Sequence, residues 1–144
     1  MSTTGTDTIR RSVDVALAPE QAFELFTVRT ATWWPFATHS VAGEIAFDAV
    51  FEPRVGGRVY ERDRTGTDHD WGAVTVWEPP RRLVLEWTLD PSCAGTEVEI
   101  EFTAAAGGTH VELTHGGWRA APRELVDGYA VGWEHVLRTF AASS

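Results

Sequence analysis

The stretch that decides the fold runs from Phe51 to Trp87 and reads FEPRVGGRVYERDRTGTDHDWGAVTVWEPPRRLVLEW. Gly56-Gly57 indicates a turn, and the polar residues 65–70 predict a hairpin loop before the next strand. That strand, residues 71–77, ends at Pro79-Pro80, because proline cannot donate a hydrogen bond to a strand ladder. The stretch therefore predicts a run of antiparallel strands, and its three tryptophans are large enough to form the wall of a cavity.

The strands on both sides of this stretch alternate between apolar and polar side chains, as a strand with one buried face does. Residues 9–17 alternate in this way, residues 45–53 predict one or two short strands, and residues 58–62 predict another. The clearest sets are Leu83, Leu85, Trp87 and Leu89, then Val98, Ile100 and Phe102, then Thr109, Val111, Leu113 and His115. Glutamates occupy the other face of the strand that contains Val98, Ile100 and Phe102. We therefore expect an antiparallel sheet with one face exposed to solvent and the other face buried.

Three segments carry helical signals. Ala18-Pro19-Glu20 starts a helix, since proline and an acidic residue both favour the first turn. Residues 30–35 predict a second short helix that ends at Pro35. Residues 122–142 repeat apolar side chains at steps of three and four, which predicts a helix of about 18 to 20 residues. The sequence thus predicts an α+β fold, in which this long helix packs its apolar stripe against the apolar face of the sheet.

Length and charge limit the organisation and the partners. The 144 residues fit one domain, with an ordered core expected over residues 9–140. The chain carries 12 basic and 21 acidic side chains, a formal net charge of −9. This negative field repels polyanions, so we expect no nucleic-acid partner.

The single cysteine and the apolar patterning predict a location. Cys93 has no partner for an intrachain disulfide, which suits the cytoplasm, and its turn-rich surroundings do not favour a catalytic role. The polar N-terminus, MSTTGTDT, lacks the apolar centre of a signal peptide. No apolar run approaches the roughly 18 residues that a bilayer requires. We therefore expect a cytoplasmic protein without a membrane span.

Eight short motifs together carry a resemblance to a known family. They are WWP at 33–35, HSV at 39–41, FEPRVGGRVYE at 51–61, WG at 71–72, WEPPRRLVLEW at 77–87, TEVEIEF at 96–102, THGGW at 114–118 and GW at 132–133. With these motifs the chain resembles the START/Bet v 1-like superfamily. More narrowly, it is similar to bacterial single-domain proteins related to the activator of Hsp90 ATPase homology domain. The resemblance implies a helix-grip fold, in which a curved sheet wraps around a long C-terminal helix after two short helices.

The resemblance leaves three functions open, because the superfamily shares a fold and not an activity. The first expectation is a protein that binds an apolar or aromatic small molecule in an internal cavity, without a cofactor. The second is an enzyme of polyketide cyclase or hydratase type. The third, ranked last, is an Hsp90-type co-chaperone or a stress-response interaction module. The eukaryotic co-chaperone has a separate N-terminal domain that contributes to Hsp90 binding, and we expect no such domain beside this one.

The candidates for a cavity wall are aromatic side chains. In chain order they are Trp33, Trp34, Phe51, Trp71, Trp87, Trp118, Tyr129 and Trp133. Plain core packing would explain these residues equally well. Trp33 and Trp34 lie where the resembled fold has its pocket mouth, and exposed tryptophans there would indicate a lid or a homodimer contact. Trp71 and Trp77 share one face of their strand if no bulge separates them, but the pattern does not show which face.

His115 is the most prominent ionisable candidate. It shares the inward face of Val111 and Leu113, where it could hydrogen-bond a ligand or act as an acid or base. The alternative is a histidine satisfied by the backbone near the strand end. The five histidines are scattered, and Asp68-His69-Asp70 lacks the spacing of metal ligands, so we expect no metal site.

Glu61 and His39 form the second polar hypothesis. Glu61 has the parity of the apolar residues in its strand, so it would face the cavity and anchor a ligand together with His39. Equally, Glu61 would belong to a surface strand on which it forms ion pairs with Arg58 and Arg62. The sequence leaves both interpretations open.

Overall fold

A computed structural model of the protein describes residues 8–89, 95–118 and 122–144. Cys93 and the polar N-terminal residues 1–7 lie outside the described residues. The elements in chain order are β1 (Ile9–Val15), α1 (Pro19–Phe26), two 3₁₀ turns (Thr30–Thr32 and Gly43–Ile45), β2 (Ala46–Phe51), β3 (Arg58–Asp63), β4 (Asp68–Glu78), β5 (Arg82–Trp87), β6 (Thr96–Ala105), β7 (Gly108–Gly116) and α2 (Arg123–Ala142).

The strands form one antiparallel sheet in the order β1-β7-β6-β5-β4-β3-β2. The sheet curls around α2, which packs beside β1, while α1 packs against β6 and β7. The predicted sheet faces are confirmed in β6, where Val98, Ile100 and Phe102 are buried and the glutamates between them are not. The expected α+β helix-grip fold is therefore the observed one.

Two local predictions were wrong. Asp68 and Asp70 belong to β4 and not to a hairpin loop, because each is held against β3 by an ion pair. Arg62 Nε lies 2.9 Å from Asp68 Oδ1, and Arg58 Nη2 lies 2.6 Å from Asp70 Oδ1. The second short helix is only the 3₁₀ turn Thr30–Thr32, which ends before the two tryptophans that follow it.

Strand β4 is interrupted twice, and this settles the position of its tryptophans. Its register shifts opposite Val59 and Tyr60 of β3, and again between Val74 and Val76 against β5. A single bulge between Trp71 and Trp77 would place them on opposite faces of the sheet, whereas two bulges keep them on the same face. Trp71 is buried and Trp77 packs edge-on against Phe23, so both tryptophans lie on the core side of the sheet.

The two halves of α2 differ in how deeply their apolar side chains are buried. In the C-terminal half, Val136, Leu137 and Phe140 are buried, and Phe140 packs on Phe26 with ring centroids 5.2 Å apart. In the N-terminal half the apolar stripe continues through Leu125 and Tyr129, but these side chains are only half-buried. The space left in front of this half of α2 is the cavity described next.

Candidate functional site

A cavity of about 370 Å³ lies between the N-terminal half of α2, strands β4 and β5, and the segment that precedes β2. The aromatic wall of this cavity consists of Trp34, Trp71, Trp87, Tyr129 and Trp133. The rings follow one another around the cavity. Trp34 and Trp71 have centroids 4.5 Å apart, and Trp87 and Trp133 have centroids 5.3 Å apart in an edge-on arrangement. Such a wall offers a large apolar surface with little side-chain freedom to lose.

The opposite side of the cavity is an irregular segment, residues 36–43, which we call the strap. Thr38, His39, Ser40 and Val41 of the strap line the cavity. The strap is bonded within itself, since the Ser40 hydroxyl donates to Phe36 O at 2.5 Å and accepts from Gly43 N at 2.9 Å. It therefore combines hydroxyl and imidazole groups with a compact local structure. A few polar groups of this kind in a mostly apolar lining are typical of small-molecule sites.

Glu61 points inward, as the parity of its strand predicts, and the alternative of a surface strand with ion pairs to Arg58 and Arg62 was wrong. It is 0% exposed and is not among the residues that line the cavity. Its Oε1 accepts from Val41 N and from Trp71 Nε1, both at 2.7 Å, and its Oε2 accepts from Ala42 N at 2.8 Å. The reason is that two strap amides and an indole turn their N–H groups toward this carboxylate. Arg58 and Arg62, the expected ion-pair partners, bind aspartates of β4 instead.

His115 is also buried behind the cavity wall rather than exposed within it. Trp133 Nε1 donates to His115 Nδ1 at 3.0 Å, and His115 Nε2 lies 3.0 Å from the Thr96 hydroxyl. Because an indole N–H can only donate, Nδ1 carries no proton and Nε2 donates to Thr96. Burial lowers the pKa of His115 to about 3. His115 is thus a neutral, fully hydrogen-bonded histidine held by side chains, where the sequence suggested a cavity contact or a backbone one.

His39 is the predicted ionisable residue that the structure does bring to the cavity. Its Nδ1 is 2.7 Å from the Thr38 hydroxyl, and its ring stacks on His135 of α2 with centroids 4.7 Å apart. Burial and, secondarily, the neighbouring His135 lower the pKa of His39. His39 does not meet Glu61, contrary to the hypothesis of a shared anchor, because the strap turns its amides and not this ring toward the carboxylate.

Three predicted residues lie in the core outside the cavity lining. Trp33 donates to Leu25 O at 2.8 Å and is buried, so it forms neither an exposed lid nor a free dimer contact. Phe51 is buried on β2. Trp118 packs on His115 with centroids 4.3 Å apart and donates to the carbonyl oxygen of His115.

Several lining residues were not predicted as site residues. They are Thr38, Ser40, Val41, Leu89, Glu124, Leu125, Gly128, Gly132 and Val136. The motif HSV at 39–41 was the available signal for the strap, and the helical stripe of α2 was the signal for the rest. Glycines recur on the cavity face of α2, where larger side chains would reduce the volume.

Among the described residues, no group of three histidine, cysteine or acidic side chains is arranged to hold a metal ion. None of the helices within residues 8–89, 95–118 and 122–144 combines the length and the apolarity that crossing a bilayer requires.

The sequence matches the family model described as activator of Hsp90 ATPase homolog 1-like protein over residues 16–143. The chain belongs to this family. No protein among the curated sequences matches it. Membership in the family agrees with the motifs at 51–61 and 77–87, which build β2, β3, β4 and β5 around the cavity.

Solved structures similar to this member of the family include an enzyme. The anthrahydroquino-gamma-pyrone synthase Txn09, complexed with SUM, is 33% identical, with 94% of this chain and 95% of that one covered and a TM-score of 0.63. The Aha1 dimer from Colwellia psychrerythraea is 18% identical, with 93% and 92% covered and a TM-score of 0.70. A protein from Rhodobacter sphaeroides is 25% identical, with 99% and 92% covered and a TM-score of 0.70.

Proposed function

We propose that this protein binds a flat, mostly apolar aromatic molecule of the polycyclic polyketide type in the cavity beside α2. The observation that carries the proposal is the wall of five aromatic side chains facing a strap that presents only a few polar groups. A volume of about 370 Å³ lies at the low end of small-molecule sites, which suits a ligand of a few fused rings. The 33% identity with a synthase of an anthrahydroquinone-type product supports the same ligand class.

The polar groups restrict the ligand further. Thr38, Ser40 and His39 can hydrogen-bond hydroxyl or carbonyl groups at one edge of a ring system. Glu124 adds a carboxylate to the lining, and the chain has a net charge of −9, so anionic ligands are disfavoured. The expected ligand is therefore not anionic and carries its oxygen atoms at one edge.

The test uses 2-(hydroxymethyl)anthraquinone, a neutral three-ring probe that does not ionise near neutral pH. We expect it to quench tryptophan fluorescence in a saturable manner. Trp34→Leu, which removes a ring from the cavity wall, should weaken binding about tenfold, because it removes a stacking partner and buried apolar area. Trp77→Leu is the matched control, since Trp77 is also a half-buried indole but lies outside this cavity. Equal affinities in the two variants would place the probe elsewhere.

A second candidate function is an enzyme that closes a ring on such a ligand. The observation that favours it is His39, an imidazole in the cavity lining whose lowered pKa keeps it an available proton acceptor at neutral pH. The test is the conversion of an anthraquinone with a β-diketone side chain beside a phenol, with mass spectrometry following the loss of water. We expect His39→Gln to reduce turnover by at least about tenfold with probe affinity retained. Unchanged turnover in that variant would remove His39 from the reaction.

The location and the assembly remain predictions beside this proposal. A cytoplasmic protein is expected from the sequence. A homodimer is supported by the Aha1 neighbour, which was solved as a dimer. Sedimentation equilibrium distinguishes a mass of 15.9 kDa from twice that value.

A further inference from the structure

The carboxylate of Glu61 joins three parts of the cavity that are distant in sequence. It lies on β3 and is fully buried, and its partners are the backbone amides of Val41 and Ala42 and the indole of Trp71. Val41 and Trp71 line the cavity themselves. Glu61 thus connects the strap to the aromatic wall from behind, without contributing to the lining.

The strap is held together by local hydrogen bonds. The hydrogen bonds of Ser40 join residues within the strap. Trp34, which precedes the strap in the chain, donates from Nε1 to His39 O at 2.7 Å. The segment ends at Gly43, whose φ of +60° is a conformation that glycine adopts without strain. Its contacts with distant parts of the chain among the described residues are the pairing with Glu61, the stacking of His39 on His135, and the packing of Phe36, at its first residue, against the hydrophobic core.

We propose that the strap is a movable cover of the cavity and that Glu61 is the positioning residue that holds it closed. This inference rests on the binding function proposed above and deepens it. Oε1 of Glu61 is shared by the Val41 amide and the Trp71 indole, so the position of the cover and the orientation of a wall ring depend on the same oxygen. A ligand that stacks on Trp71 therefore favours the closed strap, and its release requires the strap amides to leave the carboxylate.

A carboxylate is the group that this position needs. Both of its oxygens only accept hydrogen bonds, and all three partners only donate. In Glu61→Gln, one oxygen becomes an NH₂ group that confronts at least one N–H of Val41, Ala42 or Trp71. The substitution conserves shape but removes hydrogen bonds to a buried charged group, each of which is worth roughly a tenfold change in an equilibrium constant or more.

The same strand supplies a matched control. Asp63, two residues further along β3, is likewise a buried carboxylate that accepts hydrogen bonds from backbone amides. Its partners, Thr65, Thr67 and His69, belong to the β3–β4 hairpin and not to the strap. Asp63→Asn therefore removes a comparable interaction from the fold without touching the cavity.

The experiment measures amide hydrogen exchange by NMR and dissociation of 2-(hydroxymethyl)anthraquinone by stopped-flow fluorescence. In Glu61→Gln we expect exchange at Val41 and Ala42 and dissociation of the probe to be about tenfold faster than in the wild type. In Asp63→Asn we expect faster exchange at Thr65 and Thr67 with an unchanged dissociation rate. Equal dissociation rates in the two variants, or fast exchange at the strap without faster dissociation, would overturn the proposal.

Two further measurements keep the test decisive. If Glu61→Gln does not fold, Ala42→Pro removes one donor from the strap side, and the φ of −88° at Ala42 is close to what proline requires. It should accelerate probe dissociation as well, and an unchanged rate would contradict the inference. If the wild type does not bind the probe, the proposed function fails for this ligand class. Exchange at Val41 and Ala42 then decides the role of Glu61, with unchanged protection in Glu61→Gln overturning it.

Discussion

The two sides of the cavity are fixed by different means, although each relies on one buried ionisable residue. Apart from Trp34, the aromatic wall belongs to strands and to α2, and its Trp133 is held by the neutral His115 within the core of sheet and helix. The strap is irregular, its Val41 is 50% exposed, and the carboxylate of Glu61 holds its backbone. A wall held by core packing is rigid, whereas a segment held by hydrogen bonds through its backbone can detach locally.

The two buried ionisable residues hold the cavity together and do not line it. His115 and Glu61 are inward-facing, buried and ionisable, which are features of an active site. In this molecule every nitrogen or oxygen of the two side chains is already bonded to the protein. Neither residue presents a free atom to a ligand, and both act on the cavity through the tryptophans and amides that they hold.

Substitutions in the aromatic wall should lower the free energy of unfolding far more than substitutions in the strap. Trp133→Ala removes a buried indole and leaves Nδ1 of His115 without its donor, so we expect a loss of about 3–5 kcal/mol in the free energy of unfolding. Val41→Ala on the strap should cost no more than about 0.5 kcal/mol, because the side chain is half exposed. Urea unfolding monitored by far-UV circular dichroism measures both. Similar losses in the two variants would show that the strap is part of the cooperative core.

The next effect is the acid sensitivity of the aromatic side. Since burial lowers the pKa of His115 to about 3, the unfolded chain binds a proton there below pH 6.5 that the folded protein does not. The stability that a neutral His115 contributes is complete above pH 6.5 and is lost as the pH falls toward 3. We expect a loss of about 1.4 kcal/mol per pH unit in this window.

The variant His115→Gln isolates this contribution. A glutamine oxygen can accept from Trp133 and its amide can donate to Thr96, but the side chain does not titrate. The free energy of unfolding should fall less between pH 6.5 and 4.5 in this variant than in the wild type, with carboxylates contributing equally to both. Parallel pH profiles would contradict the buried neutral state of His115.

The sequence predicted the regular side of the molecule well and the irregular side poorly. Trp87, Tyr129 and Trp133 could be assigned to an inward face because strands and helices repeat with fixed periods. The strap has no periodic pattern of apolar residues that would predict its position. Its position over the cavity depends on the carboxylate of Glu61, 20 residues after Val41 in the chain. Likewise, the partners of His115 lie on β6 and α2. A parity argument shows that Glu61 and His115 point inward, but it does not show which groups meet them there.

A smaller effect concerns the link between Trp87 and Tyr129 in the wall. Trp87 Nε1 donates to the Tyr129 hydroxyl at 3.0 Å. Tyr129→Phe removes this acceptor and conserves the ring, so we expect a loss of about 1 kcal/mol in the free energy of unfolding. Probe affinity should change less than in Trp34→Leu, because the aromatic surface is retained. A larger loss of affinity than of stability would instead indicate that the hydroxyl contacts the ligand, and isothermal titration calorimetry distinguishes the two results.

The smallest expected effect tests whether the strap also responds to pH through its imidazole stack. Burial and, secondarily, His135 lower the pKa of His39, so the stability that neutral His39 contributes is complete above pH 6.5 and is lost as the pH falls below this value. Glu134 and Arg138, which flank His135 on α2, form an ion pair with each other. Because the site is partly solvated, we expect probe dissociation to be only about twofold faster at pH 5.5 than at pH 7.5. In His135→Asn, which removes the second imidazole, the rate should change less between these pH values, because only burial then lowers the pKa of His39. If the dissociation rate of the probe from the wild type does not depend on pH, the histidine stack contributes only packing, and Glu61 is the contact that holds the strap.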